Sequence, residues 1–344
     1  MDSYQKIQLE LKKNPKKWVI TGVAGFIGSN LLETLLDLDQ SIVGMDNFST
    51  GDKKNLDDVK KYVSKKQWSR FSFHEGDILD PKLCQEICQD ADYVLHQAAL
   101  GSVPRSIEDP YTSNNSNITG FLNMLVAAKE SNITKFVYAA SSSSYGDHPE
   151  LPKVEGKIGN PLSPYAVTKL VNELYANVFK ITYNFPSIGL RYFNIFGRRQ
   201  SSDSAYAAVI PKWIGETLNN KAITINGDGK TSRDFTFIDN VIQANILSAT
   251  SKNPKANGEV YNIAVGERTS LIEMYKFISK NIQSNLPSVK IEQPKFGNFR
   301  PGDVRHSLAD ITKAKNLLGY KPTHNVEQGI KETVSWYLDN LHEQ

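Results

Sequence analysis

The sequence predicts an α/β fold: a doubly wound parallel sheet covered by helices on both faces, with a smaller, discontinuous lobe after it. Three observations carry this expectation. From Lys17 onward, short β-rich apolar runs alternate with helical patterns. The first of these runs ends in a glycine-rich turn that opens directly into a helix. At 344 residues the chain is long for one domain and has room for a sheet core plus a smaller second lobe.

The strands expected on this pattern are Trp18 to Thr21, Ser41 to Asp46, Phe71 to Gly76, Tyr93 to Gln97, Phe136 to Ala140 and Ser187 to Tyr192. Helical stretches at Ser29 to Leu38, Pro81 to Cys88, Ile118 to Glu130 and Tyr165 to Tyr183 lie between them. Past Asn194 the alternation weakens into a helix over Tyr206 to Leu218, a short strand over Ile223 to Asn226, and turns at Gly227 and Gly229. The expected division is an N-terminal arm over 1–16, a sheet domain over 17–194 and a lobe over 195–344, with room for the chain to cross back. Tyr4, Ile7 and Leu11 recur at helical spacing, so the arm is expected to be a short docked helix.

Composition excludes several classes. The formal net charge is only +3, from 40 basic and 37 acidic residues, so no polycationic face for nucleic acid is expected. The first fifteen residues lack the apolar stretch of a signal peptide or membrane helix, and a cytoplasmic protein with no membrane partner is the expectation. Cys84 and Cys88 are too few for a disulfide scaffold. The six histidines show no spaced pair, so the cysteines read as buried thiols and no metal is expected.

In the turn Thr21-Gly22-Val23-Ala24-Gly25-Phe26-Ile27-Gly28, small residues let the backbone approach a pyrophosphate at a helix N-terminus. The second strand ends in Asp46, placed to accept hydrogen bonds from an adenosine ribose and to repel a 2′-phosphate, which favours NAD over NADP. Asp77, at the end of the third strand, is a candidate contact to the adenine. Together these make the sheet Rossmann-type.

A polar cluster, Ser141-Ser142-Ser143-Ser144-Tyr145-Gly146, follows the fifth strand. Further on, Pro164 introduces Tyr165-Ala166-Val167-Thr168-Lys169, which places Tyr165 and Lys169 on one helical face. An ammonium beside the phenol favours phenolate, and a nicotinamide cation adds to that, so Tyr165 is expected to titrate near neutrality as a general base. A neighbouring serine would relay the proton or hold a sugar oxygen.

The chain from Trp18 to about Tyr337 resembles the extended short-chain dehydrogenase/reductase family, and within it the UDP-hexose 4-epimerases. The glycine turn, His96-Gln97-Ala98-Ala99-Leu100-Gly101-Ser102-Val103-Pro104-Arg105-Ser106 and Leu190-Arg191-Tyr192-Phe193-Asn194-Ile195-Phe196-Gly197-Arg198-Arg199-Gln200 carry the resemblance, which is nearest to enzymes acting on UDP-N-acetylglucosamine. It implies Tyr165 as base, Lys169 as its activator and ribose ligand, and Ser141 at the sugar O4, with Ser142 and Ser143 lining the sugar pocket. For the cofactor it implies Gly22, Gly25, Phe26, Ile27, Gly28, Asp46, Asn47, Asp77, Ile78, Gln97, Ala98, Ala99 and Tyr192. For the UDP-sugar it implies Gly101, Ser102, Val103, Arg105, Asn194, Ala208, Val209, Lys212, Ile225 and Asn226. Arg233 and Arg300 would grip the diphosphate, a task suited to paired guanidinium donors.

Ser307 lies four residues after Asp303 of Arg300-Pro301-Gly302-Asp303. Some relatives carry a tyrosine there, so a wider pocket and an N-acetylated hexosamine are implied. Arg105, Arg198 and Arg199 keep a uronic acid open as the alternative sugar. Dehydratases of this family place Asp-Glu where this chain has Ser142 and Ser143. A non-enzymatic NAD-binding regulator would usually lack the tyrosine or the lysine. The resemblance also implies a homodimer through helices at about Asn115 to Lys129 and Tyr165 to Tyr183.

Overall fold

In the computed structural model, the described residues are 1–202, 208–299 and 304–340. Seven strands form one sheet: β1 Lys17–Thr21, β2 Ser41–Asp46, β3 Phe71–Glu75, β4 Tyr93–His96, β5 Lys135–Ser141, β6 Ser187–Tyr192 and β7 Glu259–Ile263. Their spatial order is 3-2-1-4-5-6-7 and every pairing is parallel. The chain reverses its direction of winding between β1 and β4, and the carboxyl ends of these strands flank the crevice where such sheets bind ligands.

Both faces are apolar, which is why the inner strands read as continuous hydrophobic runs. Trp18, Ile20, Leu95, Ile188 and Leu190 belong to one buried cluster, shared with Leu31, Leu32, Leu35 and Leu36 of α2 (Phe26–Asp37). Val19, Val94, Phe136 and Tyr138 belong to the other, shared with α4 (Pro81–Cys88) and α5 (Gly120–Glu130). Cys84 and Cys88 sit inside this second cluster, where burial pushes both thiols up to about 12 and leaves them unreactive. Between α2 and α4, α3 (Lys53–Tyr62), which the periodicity did not single out, packs on α2.

The N-terminal arm is the helix α1 (Ser3–Lys13), opened by an Asp2 capping box. Leu11 is buried, and Tyr4 and Ile7 pack against the core.

A single cut at residue 194 does not divide the sheet. Beyond it the chain forms α7 (Val209–Leu218) and the short strand Thr224–Asn226, then returns as α8 (Ile238–Thr250), which packs on β4, β5 and β6, and as β7 beside β6. The residues outside this return make small two-stranded pairings: Thr224–Asn226 with Lys295–Gly297, and Ser232–Arg233 with Thr269–Ser270. Two further helices, α9 (Leu271–Asn285) and α10 (Val326–Asp339), pack on each other.

The long helix α6 (Pro164–Tyr183) is fastened to β6 by a buried ion pair. Arg191 donates from Nε and Nη2 to both Glu173 oxygens, at 2.9 and 2.7 Å, and lies over the Tyr145 ring. Replacing Arg191 with Met leaves the Glu173 carboxylate buried without its partner. A loss of about 3–5 kcal/mol is therefore expected. Urea unfolding checks it, and a loss within error of zero would show that the pair is replaceable.

Candidate active site

A cavity of ≈ 430 Å³ lies along the carboxyl edge of the sheet. The glycine turn forms its floor: Gly22 holds φ +70°, and a Cβ there would stand 2.8 Å from the Ala98 nitrogen. Gly28 packs so closely that a Cβ would overlap the Gly22 carbonyl. Gly25 is the N-cap of α2 and no side chain caps that helix, so its first N–H groups are left for an anion or water.

Asp46 ends β2 as expected and is buried. Its Oδ2 accepts from Ala24 N at 2.9 Å and its Oδ1 from Phe48 N at 2.8 Å. Burial raises its pKa and these N–H donors oppose the rise. Asp77 is not the strand end that the pattern suggested: β3 stops at Glu75, and Asp77 follows in a turn where its Oδ2 accepts from Asn47 Nδ2 at 2.7 Å. Phe26, Ile27, Ile78, Gln97, Ala98 and Ala99 also line the cavity. Tyr192 reaches it through Gln97: its hydroxyl donates to Gln97 Oε1 at 3.1 Å and accepts from Asn245 Nδ2 at 2.8 Å.

The sequence reading missed the loop Ser49-Thr50-Gly51, which lines the cavity beside Asp46; a Cβ on Gly51 would meet Asp46 Oδ1 at 2.8 Å. A run of small turn-formers straight after an acidic strand end was the available signal. Ser116, Gln200 and Ser201 were missed as well, and Asn245 had none, since it comes from the helix that returns past residue 194.

The catalytic candidates converge at the ends of β5 and α6. Ser163 caps α6 through Ala166 N at 3.1 Å, with Pro164 in its first turn. Tyr165 and Lys169 follow one turn apart, with the Lys169 Nζ 5.9 Å from the Tyr165 ring centroid and donating to Ala139 O at 2.9 Å. Ser141 hydrogen-bonds the Tyr165 side chain, and the Ser143 hydroxyl donates to Ser141 Oγ at 2.9 Å. Tyr145 stands apart, buried and donating to Asn262 Oδ1 at 2.7 Å.

The protein groups alone, without the nicotinamide charge that the expectation included, do not lower the Tyr165 pKa. Burial pushes the phenol up, and only the Ser141 hydrogen bond opposes it. Burial also pushes Lys169 down to about 8, because the ammonium is likewise cut off from water. Beneath them His96 is brought down to about 3 by burial and then by Lys169, so it stays neutral and pairs with Thr21 Oγ1 at 2.8 Å.

Of the residues expected at the sugar nucleotide, Gly101, Ser102, Arg105 and Ala208 line the cavity. Ser142 follows Ser141 in the same short helical turn as Ser143. Val103 begins the short helix after Ser102 and is half-exposed. Asn194 donates to Asp234 O at 3.1 Å, and Val209 begins α7. Lys212 is exposed and pairs with Glu216 at 3.8 Å. The Ile225 side chain is fully buried in the core, so only its backbone is available to a ligand, whereas Asn226 is partly exposed. Arg233 donates to the carbonyls of Ser232 and Arg305. Ser307 donates its N–H to Ser232 O at 3.1 Å and is not on the cavity wall. Arg300 and Asp303 lie outside the described residues.

Arg198 and Arg199 are not available to a sugar carboxylate. Arg199 is buried against Glu33 and Asp58, and Arg198 pairs with Asp239 at 2.9 Å and Glu33 at 3.8 Å.

The model of the family described as GDP-mannose 4,6 dehydratase matches residues 19–333. A putative UDP-glucose 4-epimerase from Methanocaldococcus jannaschii is 33% identical over 94% of this chain and 98% of its own length. Among solved structures, a UDP-N-acetylglucosamine 4-epimerase from Methanobrevibacter ruminantium, in complex with UDP-N-acetylmuramic acid, is 37% identical. It superposes with a TM-score of 0.85 over 95% of this chain and 99% of that one. A UDP-glucuronic acid 4-epimerase from Bacillus cereus, in complex with UDP-glucuronic acid and NAD, is 33% identical with a TM-score of 0.81, over 94% and 99% of the two chains.

The Lys169 shift has a consequence for stability. Its folded pKa of about 8 lies below the ordinary 10.5, so between these values the unfolded chain holds a proton that the folded one has released. Stability from this group therefore rises with pH across that window. Relative to Lys169→Met, the unsubstituted protein should gain about 3 kcal/mol between pH 7 and pH 10.5. Urea unfolding of both proteins at the two pH values reads this, and a gap that stays constant would mean that the ammonium is not desolvated.

Proposed function

Because the chain belongs to the family described as GDP-mannose 4,6 dehydratase and its relatives include UDP-sugar 4-epimerases, we propose that it uses NAD to interconvert UDP-N-acetylglucosamine and UDP-N-acetylgalactosamine for surface polysaccharide precursors. The observation that carries this reading is the hydrogen-bonded run Ser143–Ser141–Tyr165, with Lys169 one turn away, beside a glycine-turn cavity.

The cavity fits the dinucleotide: an uncapped helix N-terminus for the pyrophosphate, a buried carboxylate at Asp46 for a ribose, and a close-packed turn with no side chain in the way. When bound, NAD supplies a hydride acceptor and then donor at C4, together with a positive ring that favours the phenolate. Tyr165 takes the O4 proton and returns it, and Ser141 holds that oxygen. Arg233 and Arg300 hold the diphosphate, while the loosely held 4-keto hexose turns over to present its other face.

Ser142 and Ser143 carry no acid or base able to eliminate water, which separates this chain from a dehydratase. Arg105 on the cavity wall supports a second reading, UDP-N-acetylhexosaminuronic acid as the sugar. On the outer face of α6, Val167, Leu174, Val178 and Ile181 are exposed at helical spacing, which supports a second copy of the chain packing there.

Incubating the protein with UDP-N-acetylglucosamine and following the anomeric protons by NMR should show the galacto epimer growing to equilibrium. Conversion of only the uronic acid would favour the second reading. Tyr165→Phe should reduce turnover by about 10²- to 10⁴-fold with UDP-sugar affinity nearly intact. Near-normal turnover would remove Tyr165 from the role of base.

Ser307→Tyr tests whether the sugar site extends past the cavity wall to Ser307, as the resemblance implies. Forcing extra volume against an N-acetyl group should cost about 1–3 kcal/mol, or about 5- to 150-fold in kcat/KM on UDP-N-acetylglucosamine. UDP-glucose turnover should survive, and equal losses on both sugars would place the restricting wall elsewhere.

A further inference from the structure

Away from the cavity, the start of α8, the loop before α10 and α10 itself bring Asp239, His324 and Glu332 together. One ligand atom from each lies within 4.8 Å of the other two. Among the described residues no other cluster of at least three such groups meets this geometry.

The hydrogen bonds around His324 fix how its ring presents itself. Asn240 Oδ1 accepts from the backbone N–H groups of Thr323 at 2.7 Å and His324 at 3.2 Å, which orients the amide. The Thr323 hydroxyl donates to the same Oδ1 at 3.2 Å. Its oxygen is then an acceptor toward His324 Nδ1, 2.9 Å away, so Nδ1 carries the hydrogen. In the neutral ring Nε2 is a bare lone pair, and it faces Glu332 Oε1 at 3.0 Å. Either a proton or a metal cation between these two acceptors satisfies both. Two ligands bound at about 2.1 Å to one tetrahedral ion stand about 3.4 Å apart, so the pair would open by a few tenths of an ångström on binding.

The charges agree. Glu33, Asp58, Asp239 and Glu332 are four carboxylates gathered around two guanidinium groups, Arg198 and Arg199. Close by, Asp37 and Asp39 are offset by Lys12 and by Arg70, which pairs with Asp39 at 3.6 Å. The surplus of two negative charges matches a divalent ion. Asp239 and His324 are partly buried and Glu332 is exposed, which leaves room for water to complete the coordination.

We propose that Asp239, His324 and Glu332 bind one divalent transition-metal ion, with zinc the best match to a donor set of one imidazole and two carboxylates. Thr323 orients the imidazole as a hydrogen-bonding partner behind a metal-bound histidine does. The ion would tie α10 to α8, and α8 in turn carries Asn245 to the Gln97–Tyr192 hydrogen bonds at the cavity. The site does not depend on the sugar assignment.

The test is titration of the full chain, stripped with EDTA, with Zn²⁺ by calorimetry and with Co²⁺ by visible absorption. One ion per chain is expected, with cobalt bands that Zn²⁺ abolishes and a higher thermal midpoint in Zn²⁺. His324→Gln and Glu332→Gln, checked by circular dichroism for an intact fold, should each weaken binding by about 10- to 100-fold or more. No uptake by the stripped chain, or uptake unchanged in both Glu332→Gln and Asp239→Asn, overturns the site and leaves His324 and Glu332 as an ordinary ion pair.

Discussion

The seating of helix α6 against β5 and β6 is the constraint on which the catalytic candidates depend. The Lys169 ammonium donates to the Ala139 carbonyl of β5, and the Glu173 carboxylate meets Arg191 of β6 one turn further on. On the other side Thr168 accepts from Asn117 Nδ2, and Asn172 donates to the Asn117 carbonyl. These bonds fix both the rotation and the height of α6, and so the position of the Tyr165 hydroxyl relative to Ser141. All but the partly buried Lys169 bond are fully buried, and breaking one of those would leave a polar group without water to replace its partner.

The same burial explains why the phenol is not ready-made as a base. A site that excludes water disfavours phenolate and ammonium alike, and the protein alone leaves Tyr165 above its ordinary range and Lys169 below its own. In the proposed reaction the charge that tips Tyr165 toward ionisation comes with the ligand, which would couple proton removal to occupancy of the cavity.

How much of this was legible in the chain depends on whether the signal was local. Val19, Ile20, Val94 and Leu95 announce inner strands because both of their faces are apolar, and Pro164 with its preceding Ser163 announces the start of α6. The glycine turn and Asp46 are equally local. Asn245 and β7 were not legible, since their place depends on where the chain goes after leaving the sheet. Arg198 and Arg199 looked free for a ligand because Glu33, Asp58 and Asp239 lie far away in sequence. What burial costs the phenol was not legible for a related reason: spacing shows that a lysine is near, and only the fold shows how fully Tyr165 is cut off from water.

The return of the chain through α8 and β7 makes the lobe a pair of excursions rather than an appendage. Residues 195–237 leave from β6 and come back at α8, and residues 264–340 leave again from β7. A graft that exchanged everything after residue 194 for a relative's sequence would also exchange the edge strand beside β6 and the asparagine that braces Gln97. Sugar preference in this architecture can therefore be transplanted only by two separate splices, so homologous recombination at one point would tend to break the sheet before it altered the pocket.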